Sequence, residues 1–220
     1  LSKAFKAKNF SKVSMIQNKS IQLSLLLSMP ASLGLIIASE EIVNGLFGYG
    51  SFTFNDVKMT SEALMFFGYG IIAFALVKIL SNFFFARDNT KTPFFISAFI
   101  VFLNVIISLT FFDSVGFLII PIATSISTWV GVLIFLYHLK KNNFLLLQNK
   151  LFYNTFKIVI SSLIMTFALI FSLKKYSSFL DYTYIYKSFY LIIIIGFVGI
   201  VYLLSCYILG LLKIKNYKTN

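Results

Sequence analysis

Side chains able to do chemistry are few in this sequence, and they stand apart. The single histidine, His138, lies beside Lys140 and Lys141 at the end of an apolar run and reads as a solvated helix-end residue. The single cysteine, Cys206, sits inside an apolar run and has no partner for an internal disulfide. Glu40 and Glu41 are adjacent, so on a helix they point to different faces and make no acid–base pair; a solvated outer loop is the reading for them. No spacing suits a metal, no nucleophile stands with a base, and no glycine-rich loop offers a phosphate cradle. The expectation is therefore of no catalysis, no cofactor and no metal.

Polar groups inside apolar stretches carry more information, because ionisable side chains are costly in a membrane. Lys78 is the clear case. It falls two residues before the end of an apolar run, where its ammonium can snorkel to the interface as an anchor or meet a substrate. Asn82 and Asn104 read as interhelical hydrogen-bonding residues. Ala123, Thr124, Ser125, Ser127, Thr128 and Gly131 give one run a small, polar face, suited to close helix packing or to lining a wet cavity.

The elements that must position these groups are membrane helices. Of 220 residues, 59% are hydrophobic and 12% charged, against roughly 25% charged in soluble domains. Mean hydropathy is +0.89. Apolar runs at 21–38, 63–80, 94–112, 117–137, 156–173 and 190–212 match the length of about 20 residues that spans a bilayer. They lack the alternation of barrel strands. The fold class expected is all-α, a polytopic bundle of about six transmembrane helices. Thr53 and Asp56 have capping-box spacing. Thr92–Pro93 predicts an N-cap followed by proline at the first helical position. Asp113, Ser114 and Gly116 predict a tight turn between antiparallel helices, and Pro30 a kink.

A net charge of +12 in a soluble chain would suggest nucleic acid. Here the charges lie between apolar runs and report orientation, so no nucleic-acid partner is expected. All of the 19 Lys and Arg residues except Lys58, Lys174, Lys175 and Lys187 fall on the side of the N-terminus. Of the seven acids only Asp88 does. The positive-inside rule places both ends of the chain in the cytoplasm. The lysines before residue 21 act as topology determinants or bind anionic membrane lipids. Tyr182, Tyr184, Tyr186 and Tyr190 form an aromatic belt at the outer interface. Leu1 is not an initiator methionine and no signal peptide precedes the first run, so the N-terminal half of a longer protein is expected upstream.

Three stretches carry a family resemblance. The first is Met29-Pro30-Ala31-Ser32-Leu33-Gly34-Leu35 with Leu46-Phe47-Gly48-Tyr49-Gly50-Ser51-Phe52-Thr53. The second is Gly68-Tyr69-Gly70 and Val77-Lys78-Ile79-Leu80, running into Phe84-Phe85-Ala86-Arg87-Asp88-Asn89-Thr90-Lys91-Thr92-Pro93. The third is Asn104 with Gly116 and Ala123-Thr124-Ser125. Together they resemble the MurJ/MviN family of lipid II flippases, within the superfamily of multidrug and polysaccharide exporters; Leu1-Ser2-Lys3-Ala4-Phe5 is similar to the family's cytoplasmic stretch before its ninth helix.

The resemblance implies a fragment: a cytoplasmic linker at 1–20, the last four helices of the second bundle at 21–139, a cytoplasmic loop at 140–155, and two extra helices with a short tail at 156–220. It implies an inner-membrane protein moving lipid II, a polyprenyl-pyrophosphate-linked peptidoglycan precursor, to the periplasmic face by alternating access. Most of the family's cavity arginines would then lie upstream of this chain. Lys78, Arg87 and Asn104 become candidate substrate contacts, and Arg87, Asp88, Lys91 and Pro93 a conformational loop. Ile160, Ile164, Gly196 and Gly199 become a groove for the lipid tail. The alternatives are export of another polyprenyl-linked saccharide, a membrane enzyme acting on a lipid-linked substrate, and a scaffolding subunit.

Overall fold

Backbone in lipid must satisfy its own hydrogen bonds, which leaves long apolar runs no choice but the helix. A computed structural model, describing residue 7 and residues 9–212, bears this out. The resembling stretch from Leu1 to Phe5, and the charges of Lys3, Lys6, Lys8, Lys213, Lys215 and Lys218, lie outside the described residues. The helices are α1 (Phe10–Ile37), α2 (Ser39–Phe47), α3 (Phe54–Phe85), α4 (Lys91–Val115), α5 (Ile119–Lys141), α6 (Asn149–Lys175) and α7 (Lys187–Ile208). Five stretches are long and apolar enough to cross a membrane, the third being a run of 51 residues, Lys91–Lys141. That run folds back on itself as α4 and α5, so the described residues form six long helices plus the short α2.

Helix ends follow local chemistry. At α3 the capping box forms: the Thr53 N–H donates to Asp56 Oδ2 at 2.8 Å and the Asp56 N–H to Thr53 Oγ1 at 3.3 Å. The 32 residues of α3 rise about 48 Å, well beyond a hydrocarbon core of about 30 Å, so its ends reach past the membrane. The start of α1 is at Phe10, earlier than its apolar run, because the Asn9 side chain accepts from the Lys12 N–H at 2.9 Å. Residues 10–20, expected in a linker, are thus its first turns.

Three sequence expectations are corrected here. At α4, Thr92 is not the N-cap: the helix begins at Lys91, because Asn89 accepts from the Thr92 N–H and donates to Thr92 Oγ1, both at 3.1 Å. Pro93 remains in the first turn, where its missing N–H leaves no bond unmade. Asp113 and Ser114 are still helical, and the reversal is at Gly116, whose φ of +70° is open to glycine. Glu40 and Glu41 stand in the first turn of α2, where carboxylates complement the helix dipole, not in a loop.

The long helices pack in the row α7–α6–α1–α3–α5–α4, with α2 laid across α3 and α7 at the end of the bundle away from the N-terminus. In its middle, α3 lends backbone carbonyls to both neighbours. Ser32 of α1 donates to the Gly68 carbonyl at 2.8 Å, Ser125 of α5 to that of Phe66 at 2.7 Å, and Trp129 to that of Tyr69 at 3.0 Å. A side chain at Gly131 would overlap Ile100 of α4. Ala123, Ser125, Ser127 and Thr128 are buried. The small face of α5 is therefore a packing face, not a cavity wall.

Candidate functional site

Between the last turns of α3 and the first of α4 lies an open crevice of about 980 Å³, lined by Lys78, Asn82, Phe85, Lys91, Phe94 and Phe95 among others. The turn at 86–90 splays the two helices apart, with Asp88 held at a φ of +56°. Lys78 and Lys91 are exposed, and each projects an ammonium beside aromatic walls. A crevice with two cations and apolar flanks can hold a phosphate-bearing group attached to an apolar chain.

Arg87 and Asn104, the other candidate contacts, face elsewhere. Arg87 Nη1 donates to the Phe83 carbonyl and Nη2 to the Phe144 carbonyl at 3.0 Å, and its guanidinium lies 4.4 Å from the centre of the Phe144 ring. It ties the connector after α5 to the end of α3. Asn104 donates to Thr124 Oγ1 at 2.8 Å and joins α4 to α5, as an interhelical hydrogen bond would. The structure thus brings Lys78 together with Lys91 and Pro93, and leaves Arg87 and Asn104 outside their crevice.

Of the groove residues, Gly199 lines a small apolar cavity of about 260 Å³ with Pro30, Gly34, Met165 and Val198. Ile160 and Ile164 lie on α6 and Gly196 on α7, partly or fully exposed, outside that cavity. A Cβ at Gly196 or Gly199 would meet nothing within 4 Å.

Two polar clusters escaped the sequence reading. On the side of the N-terminus, Gln17 of α1 grips the connector 142–148. Its amide nitrogen donates to the Phe144 carbonyl at 2.8 Å, and its oxygen accepts from the Leu146 N–H at 3.2 Å. Ser14 and Asn18 both donate to the Leu146 carbonyl, at 2.9 and 2.7 Å, and Asn18 accepts from the Gln148 N–H at 2.9 Å. The only hint was a polar Ser14-x-x-Gln17-Asn18 face ahead of an apolar run.

At the opposite end, Lys187 is 1% exposed. Its Nζ donates to Asn44 Oδ1 at 2.9 Å and to the carbonyls of Gly48 and Tyr182, both at 2.6 Å. The rings of Tyr49 and Tyr182 lie 4.4 and 4.5 Å from it. Counted only as an outer charge in the sequence, it pins α2 and the following loop to the head of α7.

Known proteins share this chain's sequence and arrangement. Residues 1–196 match the family described as Lipid II flippase MurJ. A probable lipid II flippase MurJ from Rickettsia prowazekii is 38% identical over 143 residues, covering 64% of this chain and 28% of the relative. Another, from Buchnera aphidicola subsp. Schizaphis graminum, is 31% identical over 210 residues, covering 94% of this chain and 40% of the relative. A solved structure of lipid II flippase MurJ in an inward closed conformation superposes with a TM-score of 0.75 at 27% identity, covering 94% of this chain and 41% of that one. The chain spans at most about two fifths of the length of these relatives. On the match over residues 1–196, and on the shared helix arrangement, it belongs to the lipid II flippase MurJ family.

Proposed function

We propose that this chain is the C-terminal part of a flippase that carries lipid II from the cytoplasmic to the periplasmic face of the inner membrane by alternating access. The family match over residues 1–196 carries the reading. In it, the crevice of Lys78 and Lys91 receives the pyrophosphate, two ammonium groups answering its negative charge while Phe85, Phe94 and Phe95 flank the first isoprene units. No bond is made or broken. The side chains lower the cost of taking a charged head out of water, and motion between the two bundles of the whole protein moves it. Full-length parent protein rescues growth when a host's own flippase is depleted. The same protein with Lys78→Glu and Lys91→Glu accumulates normally and rescues at least tenfold less well, as expected for replacing attraction with repulsion at the substrate anion. Full rescue by that variant sinks the crevice assignment; failure of well-expressed parent protein sinks the flippase reading.

Both ends of the chain lie in the cytoplasm in this reading, as the lysine distribution supports. Single cysteines at Ser114 and Ser178, in the full protein with every native cysteine replaced, react with a membrane-impermeant thiol reagent from outside intact cells. Cysteines at Ser11 and Asn143 react only after the membrane is opened. The reverse pattern overturns the orientation.

The lipid tail lies along α6 and α7, near Ile160, Ile164, Gly196 and Gly199. A Cβ at either glycine meets nothing within 4 Å, so Gly196→Trp and Gly199→Trp begin in open space, and protein level checks that each variant folds. They slow flipping by competing for the tail's path. Flipping at the parent rate by both variants means that these residues face only bulk lipid.

A further inference from the structure

We infer that a pocket at the N-terminal-side ends of α1, α6 and α7 binds the phosphodiester head group of an anionic bilayer phospholipid. The pocket has a volume of about 610 Å³ and lies across the row from the Lys78 crevice. Lys19 comes from α1 and Lys150 and Lys157 from α6, with Gln22, Tyr153 and Asn154 between them. Among the described residues no Asp or Glu lines it, and three ammonium groups share the one cavity. Lys157 is held in place: its Nζ donates to the Leu209 carbonyl at 2.7 Å and sits 4.5 Å from the Tyr153 ring centre. Asn154 donates to Gln22 Oε1 at 2.9 Å and fixes the floor between α6 and α1. The first turn of α6 opens beside the pocket without a side-chain cap, adding the positive end of a 27-residue helix to the lysines.

One feature favours a phospholipid over a free anion. The same cavity has apolar walls from Met15, Leu23, Leu151 and Leu211, where acyl chains can follow the head group into the bilayer. Basic pockets between helices at the cytoplasmic interface hold anionic head groups in this way. The inference rests on the cytoplasmic orientation proposed above, and its test reads binding without transport.

Full-length protein in nanodiscs containing equal phosphatidylglycerol and phosphatidylcholine is released into native mass spectrometry. The parent retains phosphatidylglycerol in preference to phosphatidylcholine. Lys19 and Lys150 are exposed and hold no structural bond, so Lys19→Gln/Lys150→Gln folds and loses that retention by about thirtyfold, from about 1 kcal/mol per lysine. Adding Lys157→Gln removes the remainder. A control with equal charge lost outside the pocket, Lys12→Gln/Lys140→Gln/Lys141→Gln, retains the lipid as the parent does. Equal retention by the pocket variants overturns the site, as does equal loss in the control. Phosphatidylglycerol stripped by millimolar inorganic phosphate as fully as by the substitutions assigns the pocket to a free phosphate and overturns the lipid. None of these outcomes depends on growth rescue, so this site and the flippase reading fail separately.

Discussion

Lys187→Ala destabilises the full-length protein by about 3–5 kcal/mol, more than any other single lysine substitution in this chain. The ammonium is the common donor for three acceptors, Asn44 Oδ1 and the Gly48 carbonyl in buried positions and the part-buried carbonyl of Tyr182. Removing it leaves all three without that donor, at about 1–3 kcal/mol for each that water does not reach. It also removes the cation between the rings of Tyr49 and Tyr182. Asn44 is drawn in further, because its amide nitrogen donates to the Leu180 carbonyl at 2.8 Å. Loss of Lys187 therefore loosens α2, the loop after it and the loop before α7 together. Lys187→Met keeps the apolar stem and removes the donors and the charge. It should cost nearly as much as alanine, which separates the ammonium's polar interactions from packing of its stem. Lys174→Ala, at an exposed position, changes stability by less than about 0.5 kcal/mol. Thermal unfolding in detergent checks all three, and a Met variant that melts with the parent rules out the cage as a source of stability.

That residue shows where sequence reading stops. The six long helices were legible because each is a sustained apolar run, and the capping box at Thr53 because its partner is three residues away. Two of the three acceptors of Lys187 lie 139 and 143 residues off, and the nearby one, the Tyr182 carbonyl, is backbone that any residue type supplies. Distance hid the grip of Gln17 on Phe144 likewise, at 127 residues. Where local signals failed, a stronger local competitor was present. Asn89 outbids Thr92 for the start of α4, and Ser114 satisfies its hydroxyl on the Phe111 carbonyl at 3.0 Å, so it stays helical until glycine permits reversal. The nine residues of α2 were too short to register as an apolar run, which left Glu40 and Glu41 in an imagined loop. Within the crevice, Lys78 was legible as a costly charge in an apolar run. Its neighbour Lys91 was legible only as part of a loop, since proximity to Lys78 depends on the turn at 86–90. Arg87 was legible as unusual but not in its direction, because its target is a backbone carbonyl, and any residue type supplies one.

The connector 142–148 should behave as one strap, and Gln17→Leu with Arg87→Ala should expose it. Both side chains donate to the Phe144 carbonyl, Gln17 from α1 at 2.8 Å and Arg87 from beyond α3 at 3.0 Å. Either donor alone keeps that oxygen satisfied; losing both orphans it. The single variants each cost about 1–3 kcal/mol, Gln17→Leu through the Leu146 N–H it abandons and Arg87→Ala through charge-assisted bonds to two carbonyls. The double variant then costs more than the two together, by about 0.5–3 kcal/mol. Hydrogen exchange localises the effect. The Leu146 and Gln148 amides, held by Gln17 and Asn18, exchange faster in Gln17→Leu, and faster still in the double variant. Because the strap begins at the end of α5 and feeds α6, its release loosens the tie between the start of α6 and the end of α3, while α6 stays packed on α1. On the proposed flippase reading, the double variant compared at matched protein level binds the substrate and moves it slowly. Strict additivity of the two substitutions, with unchanged amide exchange at Leu146 and Gln148, would show that Arg87 and Gln17 hold separate pieces of the protein and that no strap exists.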